Sequence, residues 1–357
     1  MNSSEILSLF LSSTCEWLRG TGPENEIVLS SRIRVARNVE SYVFTEKLKA
    51  EDQKSLISEV SKAMAAAPIL KGAYFIDFNG LKSIDRQFLV ERHLISREHA
   101  SEKGNKAVLI TKNEMVSIMV LEEDHLRIQV IQSGLNLIDS WRLIDKVDSA
   151  LDAKLPYAFH SQLGYLTACP TNLGTGLRSS CMLHLAGLVM TKQVNKVLQA
   201  LSKLNLTARG FFGEGTQAAG NFFQFSNQMT LGQNEEDIIN ELDRVIHQMI
   251  EHEREARNYL LEKRRAKLED QIWRAVGALK SARLMSSTEA MGLLSLARLG
   301  LDLGFVKNLT LPNLNALFLF MQPAHLQKLT ETTLEASERD ERRAELLRTR
   351  LKDVELV

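Results

Sequence analysis

The amino-acid sequence predicts an α+β protein in which helices pack on a largely antiparallel sheet, followed by an all-helical C-terminal region. Two observations support this fold class. Between about residues 26 and 250, β-rich runs in which apolar and polar residues partly alternate are separated by helical stretches. Past about residue 250 the sequence becomes charged and helical throughout. We therefore expect two domains, comprising residues 1–255 and 256–357.

The first domain is predicted to begin with a short amphipathic helix over MNSSEILSLFLSST. Two longer helices are predicted over residues 51–68 and 135–155, where apolar residues recur at three- and four-residue spacing. The β-rich runs are IVLSSRIRVARN, KAVLITKN, MVSIMVLEEDHLRIQVIQS and LRSSCMLHLAGLVM. Connections of this length between strands favour an antiparallel sheet with helices on one face.

The C-terminal region is predicted to be a series of helices. Residues 251–283 are long and charged, and their apolar residues share one stripe: Leu261, Leu268, Ile272, Val276 and Leu279. Ser286 and Glu289 have the spacing of a capping box ahead of the apolar run MGLLSLARLGL. The segments NLNALFLFM, AHLQKL and TLEASERDERRAELLRTRLKDV complete the helical tail.

Composition argues against several classes of protein. Lysine and arginine (44) balance aspartate and glutamate (44), so no net charge attracts nucleic acid or an anionic membrane. The sequence has no apolar run long enough to span a bilayer, and its N terminus carries Glu5 instead of a basic signal-peptide region. Cys15, Cys169 and Cys181 are too irregularly spaced for a disulfide framework or a zinc site. We expect a cytoplasmic protein.

The first candidate functional motif is LSSRIRV. Because side chains alternate between the faces of a strand, Arg32 and Arg34 should point the same way, with Ser31, Ile33 and Val35 on the other face. Two neighbouring guanidinium groups on a rigid strand repel each other unless an anion lies between them. The motif therefore indicates either an anion site or a solvated edge strand.

The second motif, LEEDHLRI, follows the apolar run SIMVL. Continued strand alternation would place Glu123, His125 and Arg127 on one face and Glu122 and Asp124 on the other. Ionisable residues at the end of a buried run are expensive to bury without partners. The motif indicates either a functional cluster or a polar strand end.

The third motif is ACPTNLGTGLR. Proline favours extended backbone at Cys169, and Gly174 and Gly176 allow a tight loop before Arg178 opens a strand. A cysteine in such a position is either a small buried apolar residue or a reactive thiol near cations.

The fourth motif, RGFFGEGTQAAGN, is rich in glycine. Arg209 stands at its base and Glu214 near its tip, as in a mobile active-site lid, although an exposed hairpin would have the same composition. The sequence contains neither the GxxxxGKS/T motif of P-loop proteins nor the HRD and DFG motifs of the protein-kinase fold.

Together and in this order, the four motifs closely resemble the catalytic domain of the phosphagen kinases, the family of creatine and arginine kinases. CPTNLGT, residues 169–175, matches the family signature, and SSRIRVAR, EEDHLRI and RGxxGE match in order and approximate spacing. The resemblance covers about residues 20–255. It implies the family's glutamine-synthetase-like fold, ATP with Mg²⁺ as the phosphoryl donor, and a guanidine as the acceptor.

The resemblance also implies roles for individual residues. Glu123 would orient the acceptor guanidinium and act as the base, Glu214 would be brought in by the lid, and Cys169 would lie beside the guanidinium as a thiolate. Gln224 departs from the acidic residue that the family often carries near the ATP-bound metal, and no metal ligand is assigned. The residues implied in nucleotide binding are Ser30, Ser31, Arg32, Ile33, Arg34, His93, Arg127, Arg178, Ser179, Ser180, Cys181, Met182, Arg209, Gly210, Phe211, Phe212 and Gly213.

Two departures from creatine and arginine kinases indicate the branch that phosphorylates arginine side chains in proteins. The segment before Arg32 is too short for the helical domain that closes over small guanidines, so we expect an open acceptor site. The helical tail is the second departure. Its RDERRA stretch matches the RDxxRA motif with which that branch binds phosphoarginine, and the match implies an allosteric site formed by Arg339, Asp340, Arg343 and Ala344. On sequence alone, the same stretch could be a solvated charged helix.

The resemblance further implies partners. These are protein substrates with exposed arginines (a stress-gene repressor and misfolded proteins), a Clp ATPase and protease, a zinc-binding activator protein and a second copy of the chain in a homodimer. Two other functions stay open at this stage: a kinase for free arginine or a related guanidine, and a catalytically silent phosphoarginine-binding adaptor. The missing N-terminal domain argues against the first, and the intact motifs argue against the second.

Overall fold

An eight-stranded antiparallel sheet forms the centre of the computed structural model, which describes residues 3–101, 104–202, 205–210 and 219–357. The strand order is β2-β3-β4-β5-β1-β8-β10-β9, and two-stranded pairs form from β6 with β7 and from β11 with β12. The strands are β1 (Val28–Arg37), β2 (Tyr74–Asp77), β3 (Ala107–Ile110), β4 (Val116–Val120), β5 (Leu126–Ser133), β6 (Phe159–His160), β7 (Gly164–Tyr165), β8 (Leu177–His184), β9 (Leu206–Gly210), β10 (Phe222–Asn227), β11 (Val306–Lys307) and β12 (Glu355–Leu356).

Helices cover the sheet and make up most of the C-terminal region. They are α1 (Ser3–Leu11), α2 (Ala50–Ala66), α3 (Ser83–Glu91), α4 (Leu137–Asp152), α5 (Ala186–Met190), α6 (Val194–Ser202), α7 (Glu235–Lys263), α8 (Arg265–Ser281), α9 (Ser287–Asp302), α10 (Leu311–Phe320), α11 (Pro323–Thr330) and α12 (Ala336–Arg350). Among the described residues, none of the helices combines the length and apolar character that crossing a bilayer requires. The predicted α+β class and antiparallel sheet are confirmed.

One face of the sheet is buried against α2, α4 and α7. Alternate residues of the central strands, among them Ile33, Ile128 and Phe225, pack there with Leu56 of α2 and Ile144 of α4 in the largest apolar core. Strand geometry explains why alternate residues lie in this core, because every second side chain points to the same face of the sheet. The intervening residues therefore face the other side of the sheet.

That other side is covered by apolar residues at its two ends. At one end, Phe10 of α1 and Phe88 of α3 pack over β2, β3 and β4. At the other end, Leu29 of β1 and Phe222 of β10 pack with the C-terminal helices, and the rings of Phe222 and Phe318 lie 5.1 Å apart, edge to face. The middle of this face carries polar and charged side chains, described below as the candidate site.

Two β-rich runs of the sequence differ from the prediction. Residues 115–133 form two strands, β4 and β5, joined by a turn, instead of one continuous alternating strand. The run LRSSCMLHLAGLVM leaves the sheet at His184, and α5 follows. The reason is distant in sequence: the buried Glu253 of α7 accepts hydrogen bonds from the backbone N–H groups of Gly187 (2.8 Å) and Leu188 (2.9 Å), which supplies the partners that a helix N terminus lacks.

The predicted helical tail is present, with a capped start to α9. The Ser286 hydroxyl accepts from the N–H of Glu289 at 3.2 Å, as the capping-box spacing predicts. The predicted boundary between residues 255 and 256 lies inside α7, and only Arg264 separates α7 from α8. The division into two domains stays a prediction.

A buried ion pair joins α3 to the turn before β4. Arg92 donates to Glu114 from Nε (2.7 Å) and from Nη2 (2.5 Å), and neither side chain is more than 2% exposed. Arg92 also donates to the backbone carbonyl of Ser13, and its own carbonyl accepts from the Trp17 indole. The N-terminal segment is therefore attached to the sheet through this pair.

The residue before Arg92 attaches the C-terminal helices. Glu91 accepts from the first N–H groups of α11, those of Ala324 (2.8 Å) and His325 (3.0 Å), and lies 2.8 Å from the His325 ring. Burial raises the pKa of Glu91 to about 7. The end of α3 thus contacts both the N-terminal segment and the helical region.

Candidate active site

Arginines from three adjacent strands meet in the middle of the polar face. Arg32 and Arg34 lie on β1. Its two neighbours in the sheet are β5, which carries Arg127, and β8, which carries Arg178. Arg34 and Arg178 are directly opposite each other across the β1–β8 pair. The predicted common orientation of Arg32 and Arg34 is confirmed, because Ser31 and Ile33 are fully buried on the other face.

The electrostatics of this arginine cluster favour an anion. Burial, with Arg127 and Arg178 as neighbours, lowers the pKa of Arg32 to about 9. Burial, together with repulsion from the charges of Arg32, Arg127 and Arg178, lowers the pKa of Arg34 well below its usual value. Arg34 Nε is buried without a hydrogen-bond partner in the part of the chain that the structure describes. A polyphosphate bound here would supply both the charge and the acceptors that these groups lack.

A cleft of about 840 Å³ opens over the arginine cluster. Residues 87–98, which include His93, line one part of it, and the helical region lines another part with Phe318 and Pro323. Trp17 and Arg209 also line the cleft. A cleft of this volume, lined by both polar and apolar side chains and by several arginines, is large enough for a nucleotide.

A recess beside the cleft brings together several predicted binding residues. It is lined by Ser30, Arg32, His93, Ser180, Met182 and Gln224, with Trp17 and Ile131. Arg32 Nη2 donates to Gln224 Oε1 at 3.0 Å. The His93 ring lies edge-on to Trp17, 4.7 Å between centroids, and burial and the nearby Arg32 lower the pKa of His93 to about 3. His93 is therefore neutral at physiological pH.

The prediction made from the motif LEEDHLRI was wrong in one respect. Residues 121–125 form a turn, closed by the Leu121 N–H donating to the His125 carbonyl at 2.9 Å, so strand alternation does not extend through them. Glu122, instead of Glu123, pairs with Arg127, at 2.5 and 2.7 Å. Burial opposes ionisation of Glu122, yet Arg127 lowers its pKa to about 2. Glu122 thus holds Arg127 in place.

Asp124 and His125, in the same turn, have structural roles. The buried Asp124 accepts from the Asn38 side chain (2.7 Å) and from the N–H of Ala168 (2.6 Å). His125 Nδ1 accepts from the Val39 N–H at 3.0 Å. These bonds tie the turn to the start of the CPTNLGT loop.

Glu123, at the tip of the turn, borders both the cleft and a smaller pocket of about 120 Å³. That pocket, here named the acceptor pocket for the role proposed below, is also lined by Arg34, Arg127, Cys169, Thr171, Asn172 and Arg178, with residues 35, 36 and 176. Burial and the neighbouring carboxylates Asp124 and Glu122 raise the pKa of Glu123, and the charge of Arg127 and a hydrogen bond from Cys169 partly offset this. Cys169 Sγ also lies 3.0 Å from Thr171 Oγ1.

The loop that carries Cys169 is held in one shape. Cys169 is extended, as predicted before proline, and Gly174 has φ +104°, where a Cβ would come within 2.4 Å of the Thr230 carbonyl. The Thr230 hydroxyl contacts the carbonyls of Thr171 (3.0 Å) and Leu173 (2.7 Å). This close packing fixes Cys169 beside Glu123.

Some predicted binding residues do not meet in the cleft. The side chains of Ser31, Ile33, Ser179 and Cys181 point to the opposite, buried face; Cys181 Sγ lies 3.5 Å from Ser31 Oγ, and burial raises the pKa of Cys181 to about 12. Gly210 ends β9 next to Arg209. Four further predictions, Phe211, Phe212, Gly213 and Glu214, lie outside the described residues.

Sequence reasoning missed two residues of the site. Glu122 was assigned to the face away from Arg127, because the turn was not recognised. No sequence motif marks Trp17 as a site residue, because only the folding of the N-terminal segment brings it to the cleft. A buried Trp next to a polar stretch could have suggested a hydrogen-bonded position, and its indole does donate to Arg92, at 3.2 Å.

The RDERRA stretch lies on α12, and Arg339 and Arg343 are one turn apart as predicted. Arg343 is buried: it donates to the carbonyls of Met321 (2.9 Å) and Met285 (2.8 Å) and to Asp340 Oδ1 (2.5 Å). Arg339 donates to the Leu334 carbonyl at 2.8 Å. Ala344 is buried in the helical core.

Two regions of the chain match known families. Residues 55–256 match the C-terminal catalytic domain of the ATP:guanido phosphotransferases, and residues 265–356 match the C-terminal domain of the protein-arginine kinase McsB. The chain is 47% identical to the protein-arginine kinase of Symbiobacterium thermophilum over 338 residues, covering 94% of this chain and 96% of that protein. It is 45% identical to the Moorella thermoacetica protein-arginine kinase over 345 residues, covering 96% and 99%.

Solved structures share the fold of the catalytic region. The duplicated taurocyamine kinase from Schistosoma mansoni, with bound transition-state-analogue components, matches with a TM-score of 0.59 and 28% identity over 66% of this chain. The match spans 34% of that duplicated chain. Lombricine kinase matches with a TM-score of 0.59 and 22% identity over 66% of this chain and 69% of that one, which indicates a common fold.

Proposed function

The chain belongs to the protein-arginine kinases of the ATP:guanido phosphotransferase family, and we propose that it binds ATP over the arginine cluster and phosphorylates arginine side chains of proteins in the acceptor pocket. The observation that carries this assignment is the position of Glu123 and Cys169 in a pocket that shares Arg34, Arg127 and Glu123 with the larger cleft. A guanidinium beside Glu123 would thus face a phosphate held by the arginines.

The chemistry needs orientation, charge stabilisation and one proton transfer. Glu123 would hold the guanidinium by paired hydrogen bonds and accept a proton from the attacking nitrogen, for which its raised pKa is suited. The new N–P bond forms as the bond from the γ-phosphorus to the β–γ bridging oxygen breaks, and ADP leaves. The arginine cluster would stabilise the charge on the transferring phosphoryl group, which is the main catalytic demand of such a reaction.

Mg²⁺ fits this site as a companion of ATP. Among the described residues, no group of three or more His, Cys, Asp or Glu side chains could hold a metal ion. Mg²⁺ commonly keeps waters and binds through phosphates plus one or two protein oxygens. The phosphates would therefore supply most of its ligands, with Gln224 Oε1 at the recess as a neutral protein oxygen. When bound, the ion would neutralise phosphate charge.

The test of the proposed function is a comparison of acceptors. The protein is incubated with γ-labelled ATP and either a casein-like protein or free arginine, and the label is tested for acid lability, which distinguishes a P–N bond from a phosphoester. We expect acid-labile label on the protein acceptor. Labelling of free arginine alone would contradict the proposal, and no labelling would favour the adaptor function.

The role of Cys169 gives a first prediction. Cys169→Ala should lower kcat about 10- to 100-fold, the effect of losing one hydrogen bond to a charged group, and should leave the free energy of unfolding nearly unchanged. Cys15 and Cys181 are buried, so iodoacetamide should alkylate the native protein at Cys169 alone, more slowly with nucleotide and acceptor bound. Thr171→Val, which removes only the neighbouring hydroxyl, is the control. Wild-type turnover of Cys169→Ala would leave the thiol a packing role.

The allosteric assignment is also a proposal, supported by a chain of contacts from α12 to the cleft. Arg343 donates to the Met321 carbonyl just before α11, and the first N–H groups of α11 donate to Glu91, which borders the cleft. Phosphoarginine that engaged Arg339, Asp340 and Arg343 would disturb this chain and so alter the nucleotide site.

A second prediction tests this assignment by calorimetric titration with phosphoarginine. Asp340→Ala should weaken binding at least about tenfold, because it removes the carboxylate available to the guanidine end. Glu345→Ala is the matched control, since it removes another carboxylate of α12 that pairs with an arginine three residues away. Equal binding by wild type and Asp340→Ala would exclude the site.

The cellular role rests on the family resemblance alone. We propose that phosphorylation marks misfolded proteins and a stress-gene repressor for a Clp-type protease, that a zinc-binding protein activates the kinase, and that the helical region, residues 256–357, mediates homodimerisation. Light scattering tests the dimer, and reconstituted degradation of a phosphorylated substrate by a Clp protease tests the marking.

A further inference from the structure

Two segments form and border the acceptor-pocket loop, and neither contains a residue with a formal charge. Residues 156–176 and 219–234 contain no Asp, Glu, Lys or Arg, although these residues make up 25% of the chain. Glu123 reaches the pocket from another part of the chain, the turn between β4 and β5. A protein substrate that approaches Cys169 therefore meets two uncharged segments.

Backbone contacts join the two segments into one surface. The Tyr165 N–H donates to the Gly174 carbonyl at 2.8 Å, and the Thr175 N–H donates to the Thr230 carbonyl at 3.0 Å. A Cβ on Gly174 would lie 2.9 Å from the Leu231 Cα. The β6–β7 hairpin, the CPTNLGT loop and residues 229–231 therefore lie side by side.

Four large apolar side chains stand exposed on this surface, and we name them the apolar rim. They are Phe159 (60% exposed), Leu163 (40%), Met229 (48%) and Leu231 (45%). The Phe159 ring lies against Tyr165, 5.3 Å between centroids. Met229 and Leu231 flank Thr230, whose hydroxyl contacts the backbone of Thr171 in the acceptor pocket. Clustered exposed apolar groups of this kind mark interaction sites.

We propose that the apolar rim binds apolar side chains next to the target arginine in extended, unfolded segments of substrate proteins. This inference rests on the proposed function. An extended chain advances about 3.3–3.6 Å per residue, so the residues two or three positions from an arginine in the acceptor pocket reach the surrounding surface. The two segments offer apolar contact and carry no Asp, Glu, Lys or Arg of their own, so they favour apolar neighbours. Arginines flanked by apolar residues in extended backbone are exposed in unfolded chains and mostly covered in folded ones.

The test compares two arginine peptides that differ only in the residues flanking arginine, leucine in one and serine in the other. Wild type should show a KM about tenfold lower for the leucine peptide, as expected for partial burial of two leucines, with similar kcat. Phe159→Ser combined with Leu231→Ser should reduce this preference to about twofold and leave the kinetics of the serine peptide unchanged. Leu284→Ser, which removes an equally exposed side chain (60%) in the helical region, should keep the full preference.

Each other outcome overturns the inference. Equal KM values for the two peptides in wild type would do so, as would a preference that survives in the double variant. If light scattering gave the double variant a lower molecular mass than wild type, the rim would instead be an interface between copies of this chain. Failure of the proposed function looks different, because wild type would then label neither peptide. Retained ATP binding by the double variant verifies that it is folded.

Discussion

Replacing Glu123 with glutamine should abolish phosphoryl transfer while ATP binding persists. Glutamine keeps the size of the side chain and can still approach the guanidinium, but it cannot accept the proton, and removal of a general base lowers kcat about 10²- to 10⁴-fold. ATP affinity should change little, because Glu122, and not Glu123, pairs with Arg127. Single-turnover phosphorylation of a protein substrate, together with a nucleotide titration, measures both quantities.

The neighbouring carboxylates provide the controls for Glu123→Gln. Glu98→Gln alters an exposed carboxylate that borders the same cleft, and it should retain nearly full activity. Glu122→Gln should instead raise the KM for ATP, because Arg127 loses its ion pair. In wild type, activity should fall as pH decreases through the raised pKa of Glu123 and its carboxylate becomes protonated. Normal turnover of Glu123→Gln would remove this residue from the mechanism.

Replacing Arg92 with methionine should destabilise the protein by about 3–5 kcal/mol, the cost of leaving one member of a buried ion pair without its partner. Glu114 would stay in the core without its cation, with only the Ser13 hydroxyl (3.1 Å) and the Cys15 thiol (3.6 Å) as partners, and the Ser13 carbonyl would lose the donor that the Arg92 guanidinium provides. Urea unfolding should show a lower midpoint with a similar slope.

A second substitution separates the ion pair from simple packing. The double variant Arg92→Met, Glu114→Met should recover most of the lost stability, because no charge then remains buried. Arg274→Met is the control: its ion pair with Asp270 is exposed and should contribute less than about 1 kcal/mol. Equal destabilisation by the single and double variants would mean that shape, and not charge, sets the cost.

Local pattern was sufficient to predict the arginine cluster on β1. A strand has a strict period of two, so Arg32 and Arg34 necessarily share a face once the strand is identified. The CPTNLGT loop was likewise predictable, because proline and glycine restrict or permit particular backbone angles. Helix α9 follows from the spacing of Ser286 and Glu289.

Other features depend on contacts that no local pattern reveals. The turn at residues 121–125 requires a left-handed backbone at Leu121 (φ +62°), a residue type that rarely adopts it, so the alternation seemed to continue. Helix α5 needs Glu253 to satisfy its N terminus from α7. Helix α12 was predicted correctly, yet the burial of Arg343 depends on carbonyls of Met285 and Met321, distant in sequence.

The apolar contact of the sheet with the C-terminal helices limits how this protein can evolve. Leu29 and Phe222 belong to the catalytic region, and they share a core with Leu294 and Phe318 of the tail. A gene rearrangement that exchanged the tail for another module would expose these side chains to water and bring aggregation along with any new regulation. The catalytic region and the helical region must therefore accumulate substitutions in concert, and the helical region is inherited together with its kinase.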